Sequence, residues 1–64
     1  MNVLTGEVVE IYVEEGKVMG KVNIGGAFVR VALMLLIDAR VGDRVLIDSG
    51  VAISKIEPEE VVNE

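Results

Sequence analysis

The sequence predicts an all-β fold, a small closed barrel of five strands. Three observations predict it. Short runs rich in β-branched residues alternate with a period of two, the pattern of a half-buried strand. Polar turns containing glycine separate those runs at close spacing. And 64 residues make one domain, spanning 1–64, that is too short for a two-sheet sandwich. A lone antiparallel sheet of this size would leave edges and an apolar face in water, and closure removes both problems.

Each element has its own signal. Gly6 to Val13 carries Val8, Val9, Ile11 and Val13 and reads as the first strand. Glu14-Glu15-Gly16-Lys17 is a polar turn in which glycine supplies a positive φ. Val18, Gly20, Val22 and Ile24 then alternate with Met19, Lys21 and Asn23 in a second strand, and Gly25-Gly26 is a hairpin turn. Ala27, Val29, Val31 and Leu33 alternate with Phe28, Arg30 and Ala32 in a third. Val41-Gly42-Asp43 is a tight turn, with Asp43 expected to bond local backbone amides. Arg44 to Asp48 is the fourth strand, with Val45 and Ile47 on one face. Ser49-Gly50 breaks it, and Val51 to Ile56 is the fifth.

Two helical pieces complete the expectation. Leu33-Met34-Leu35-Leu36-Ile37-Asp38-Ala39-Arg40 is rich in good helix formers and reads as a short helical turn that plugs one end of the sheet. In the tail, Pro58 suits a first helical position and Glu59 and Glu60 suit the positive end of the dipole, which predicts a short C-terminal helix. A five-stranded barrel with a helical turn between strands three and four is the OB-type arrangement.

Composition narrows the function. The net charge of −5 repels phosphate, and Tyr12 and Phe28 are the only aromatic residues. A nucleic-acid-binding OB module is therefore the weakest of the alternatives. No apolar run approaches a membrane span, the longest being Val31 to Ile37, and no leader pattern opens the chain, so a cytoplasmic location is expected. There is no Cys and no His. Disulfides, the usual zinc ligand sets and a Ser-His or Cys-His nucleophile pair are excluded, and neither enzyme activity nor a cofactor is expected. The paired carboxylates Glu14-Glu15 and Glu59-Glu60 read as solvated, and Gly25-Gly26 lacks the strand-loop-helix setting and Lys of a phosphate loop.

What remains is protein binding. About half the residues are apolar (52%), more than so small a core can hide. Of Met34, Leu36 and Ile37, one or two should be exposed as contact points. Asp48 sits at a strand end beside Ser49-Gly50, where loops converge at one end of the barrel. A homodimer joined through Met34, Ile37 or an exposed edge strand is the structural alternative.

Four stretches in order resemble the HypC/HupF/HoxL hydrogenase maturation chaperones. These are Gly6-Glu7-Val8-Val9-Glu10-Ile11, Lys21-Val22-Asn23-Ile24-Gly25-Gly26, Val31-Ala32-Leu33-Met34-Leu35-Leu36, and Val41-Gly42-Asp43-Arg44-Val45-Leu46-Ile47-Asp48-Ser49-Gly50-Val51-Ala52-Ile53. The resemblance implies a small OB-type barrel that works in nickel-iron hydrogenase maturation. It implies as partners the hydrogenase large subunit precursor and a HypD-like scaffold protein. In that family a cysteine after the starting methionine handles the iron, with a histidine at the end of the fourth strand as its frequent companion. Here Asn2 stands in place of the cysteine and Asp48 in place of the histidine. An amide cannot replace a thiolate as a soft iron ligand. The expectation is a non-enzymatic HypC-like adaptor that keeps the scaffold and lacks cysteine-dependent iron delivery. Its partner surface would be Asn2, Val3, Leu4, Met34, Ile37, Asp48 and Ser49.

Overall fold

The computed structural model describes residues 3–57. Five strands follow in order: β1 (Val3–Glu14), β2 (Lys17–Ile24), β3 (Ala27–Ala32), β4 (Arg44–Asp48) and β5 (Val51–Ile56). They close into a barrel in the order β1-β2-β3-β5-β4. All pairings are antiparallel except β3 with β5. The first strand is longer than the alternation predicts because it serves two neighbours. Val3 to Glu7 pairs with β4, and Glu7 to Glu14 pairs with β2.

Local chemistry sets the three hairpins. Each two-residue turn, Glu15-Gly16, Gly25-Gly26 and Ser49-Gly50, has both residues at positive φ. That is the twist a tight hairpin needs. Asn23 adds a hydrogen bond from the Gly26 N–H to its Oδ1 at 2.8 Å.

The core is made of Val8, Val22, Val31, Leu33, Val45, Ile47 and Ala52, with Ile11, Ile24, Leu36 and Ala39 packed around it. Val45 and Ile47 share the inner face, as their spacing predicts. Val9 bulges from β1, between the Val8↔Val22 and Glu10↔Lys21 pairs. The Gly42-Asp43 turn locks onto this irregularity. The Gly42 N–H donates to the Val8 carbonyl at 2.8 Å, and the Val8 N–H donates to the Asp43 carbonyl at 2.9 Å.

The segment between β3 and β4 is not the helical turn that its composition predicts. It runs as three turns in series, closed by hydrogen bonds from the N–H groups of Leu36, Ala39 and Asp43 to the carbonyls of Leu33, Leu36 and Arg40. The segment must cross from the Gly50 carbonyl, bonded by the Ala32 N–H, to the Val8 backbone. Separate turns make that crossing, and the intervening residues never build an i to i−4 ladder. The plugging role survives, since Leu33 is buried to 1% exposure over Gly20. The expected C-terminal helix lies outside the described residues, as does Asn2.

The seam between β3 and β5 is thin. Among the described residues its only register pair is Ala32↔Val51, where the other strand pairs run for five residues or more.

Candidate partner-binding surface

The Ser49-Gly50 turn organises one end of the barrel. On one side, Val3 stands opposite Asp48 and Leu4 opposite Ile47 in the β1–β4 ladder. On the other side, the Ala32 N–H donates to the Gly50 carbonyl at 2.9 Å, and Met34 follows two residues later. Val3, Leu4, Asp48, Ser49 and Met34 are thus gathered around a single turn. Leu4 and Met34 are exposed, and Asp48 is half-buried. The Ser49 hydroxyl donates to Asp48 Oδ1 at 3.2 Å, which holds the carboxylate at the turn. The result is a small amphipathic rim in which apolar residues of β1 and of the segment after β3 neighbour one carboxylate in the backbone register.

Ile37 does not join this rim. Its neighbour Asp38 reaches Lys55, near the far end of β5, at 3.4 Å. Ile37 is 93% exposed, the most exposed large apolar side chain among the described residues. The turn phase explains the pattern along this segment. Leu33, Leu36 and Ala39 sit at turn corners and point inward, while the central residues Met34, Leu35, Ile37 and Val41 point to solvent. Composition predicts exposure for one or two of Met34, Leu36 and Ile37; Met34 and Ile37 are exposed and Leu36 packs against the core, while Leu35 and Val41 carry no such signal. Only the phase of the turns selects them.

Lys55 is the charged hub of the opposite end. Its Nζ lies 3.4 Å from Asp38 Oδ2 and 3.6 Å from Asp43 Oδ2. Partial burial lowers the Lys55 pKa, but the hydrogen bonds and charges of Asp38 and Asp43 more than compensate, and the net shift is upward. Asp43 does a second job: its Oδ2 accepts the Arg40 N–H at 2.9 Å, the local amide bond expected of it. An open concavity at this end is lined by Gly42, Asp43, Arg44, Lys55, Ile56 and Glu57. Its cations are balanced by its carboxylates, so it does not form an anion site. Among the described residues there is no cluster of three or more His, Cys, Asp or Glu able to hold a metal ion, and no helix long and apolar enough to cross a membrane.

A family model described as the HupF/HypC family matches residues 4–63. A search of the curated proteins found no match. The match covers nearly the whole chain and includes all of the rim residues except Val3. The chain belongs to the HupF/HypC family.

Proposed function

We propose that this member of the HupF/HypC family is a non-enzymatic chaperone or adaptor of nickel-iron hydrogenase maturation, one that holds a protein client without a cysteine. The family match over residues 4–63 carries this reading. The clients of choice are the hydrogenase large subunit precursor and a HypD-like scaffold protein, in the cytoplasm. We read the barrel as OB-type, because a five-stranded barrel with one thin seam has the partly open form of that fold.

The client face on this reading is the rim around Ser49-Gly50. Leu4 and Met34 supply apolar anchors, and Asp48 and Ser49 supply hydrogen-bond partners that fix orientation. Asn2 adjoins it through the chain. Ile37 serves as a separate contact, since it points away from the rim. The iron of the family's chemistry is cargo. With neither Cys nor His in the sequence, the chain offers no thiolate or imidazole at this end, only oxygen and amide donors beside the weak Met34 thioether. Iron therefore stays with the partner.

Affinity capture from the native host tests the proposal. The wild-type chain should retain a hydrogenase large subunit precursor or a HypD-like protein. Leu4→Asp should lose it by about tenfold or more while keeping the native fold. Capture of neither protein, or equal capture by the variant, counts against the reading.

A further inference from the structure

We propose that the open edge of β3 pairs with the same edge of a second copy of this chain, antiparallel and centred on Val29. The inference is independent of the client reading above. It rests on which way the β3 backbone groups point. Ala27, Val29 and Val31 stand opposite Ile24, Val22 and Gly20 in the β2 ladder, and the Leu33 N–H continues that set to the Val18 carbonyl at 3.0 Å. The Ala32 N–H points the other way, to the Gly50 carbonyl. Successive residues of a strand direct their N–H and C=O groups to opposite sides. Phe28 and Arg30 therefore share the side of Ala32, the side away from β2. Among the described residues β5 meets β3 only at Ala32↔Val51. Because β5 begins at that pair and runs parallel, onward past the end of β3, the N–H and C=O of both Phe28 and Arg30 are left along an open edge among the described residues.

The spacing of those groups is self-complementary. With a two-fold axis at Val29, Phe28 of each copy faces Arg30 of the other, and each facing pair exchanges two hydrogen bonds. All four open groups of each chain are then used. Centring on Phe28 would place Arg30 against Gly26 in a turn at φ +95°. Centring on Arg30 would place Phe28 against Ala32, whose N–H is already bonded to Gly50. The Val29 register alone satisfies the edge.

The side chains agree with this pairing. Val29 has the inward parity of its strand yet is 42% exposed, because β5 begins only opposite Ala32 and runs on from there, and the axis brings it against its own copy. Phe28 is 61% exposed and would lie along the aliphatic stem of the other Arg30. Strand edges are commonly guarded by free charges or proline. Here the Arg30 Nη1 is drawn across β2 to the Glu14 carboxylate at 3.0 and 3.1 Å, and the Lys21 ammonium lies 5.6 Å over the Phe28 ring. β3 has no proline. An acidic chain repels its copy at long range, so added salt should strengthen the pairing.

Sedimentation and amide hydrogen exchange of the full chain, from about 10 μM to about 1 mM, test the proposal. A small edge interface predicts a weak dimer, with Kd on the order of 100 μM to 1 mM. The Phe28 and Arg30 amides should gain protection as concentration rises. Phe28→Pro removes an outward N–H and spares the β2 ladder, and Val29→Lys places two ammonium groups at the axis. Both should sediment as monomers at about 1 mM with an unchanged circular dichroism spectrum. If Phe28→Pro fails to fold, the partly exposed Val29→Lys carries the test. A wild-type monomer at about 1 mM overturns the proposal, as does dimerisation undiminished in the folded variants. So does protection of the Phe28 and Arg30 amides at every concentration, or only on addition of an extended client peptide.

Discussion

Leu33 fills the space that Gly20 leaves open. A Cβ on Gly20 would stand 2.9 Å from Leu33 Cδ1 and 3.2 Å from its Cγ. The Leu33 N–H is meanwhile fixed to the Val18 carbonyl, so the side chain has little freedom to retreat. This pair plugs the barrel where the expected helical turn would have done so.

The pair predicts a strongly non-additive mutant cycle. Leu33→Ala should cost about 2–5 kcal/mol through lost burial and a cavity. Gly20→Ala alone should cost about 1–3 kcal/mol by overpacking. In the Leu33→Ala background the same Gly20→Ala should become neutral or stabilise by about 0.5–1 kcal/mol, because the clash is gone and alanine loses less chain entropy. Urea unfolding of the four proteins measures the coupling. Additive values would refute the contact.

Gly6→Ala should be worse than Gly20→Ala. At Gly6, β1 changes partners from β4 to β2, and the added Cβ would meet the Asn23 carbonyl oxygen and Ile24 Cγ1, each at 2.8 Å, as well as Val22. Backbone cannot swing aside as a side chain can. A loss of about 3 kcal/mol or more is expected, and a loss below that of Gly20→Ala in the same denaturation assay would be contrary.

Lys55 predicts a loss of stability in alkali. Its folded pKa is raised above its ordinary 10.5, against the pull of burial, by Asp38 and Asp43. The stabilisation is fully present below the unfolded pKa and is lost as pH rises through the folded one. Lys55→Met should therefore be less stable than wild type at neutral pH. The difference should shrink through and above pH 10.5. A difference independent of pH across that window would show that Lys55 acts by packing alone.

Asn2 and Asp48 predict the outcome of restoring the family's donors. Val3, which follows Asn2 in the chain, stands directly opposite Asp48. Wild type should be captured with its client but carry no ferrous iron of its own. Asn2→Cys combined with Asp48→His should gain iron retention in the presence of the scaffold partner, measured by metal analysis of the captured complex. Failure of the double variant to gain iron, with client capture intact, would place the divergence elsewhere in the chain.

The parts of this fold that were legible in sequence are those set by near neighbours. Arg44–Asp48 and Val51–Ile56 have the bounds that alternation predicts, because the turns Gly42-Asp43 and Ser49-Gly50 punctuate them. Val45 and Ile47 face inward as a period of two demands. The grouping of the candidate rim residues was partly legible. Val3, Leu4, Asp48 and Ser49 come together because the β1–β4 ladder joins strand ends, and Met34 flanks them. Ile37 is separated from them because its turn carries it toward Lys55.

By itself, then, the sequence determined five strands, their turns, the family and the absence of a thiolate. Those follow from periodicity, glycine chemistry and residue identity, all of which are local. Tertiary structure alone decided that Leu33 to Arg40 would fold as turns. The two ends of that segment are anchored to different strands, at Gly50 and Val8, and that span overrides the helical propensity of Leu, Met and Ala. It also decided that Val29 and Phe28 would stand at an open edge. Their alternation is that of any paired strand, and they lack a neighbour because β5 begins only opposite Ala32 and runs parallel, onward past the end of β3.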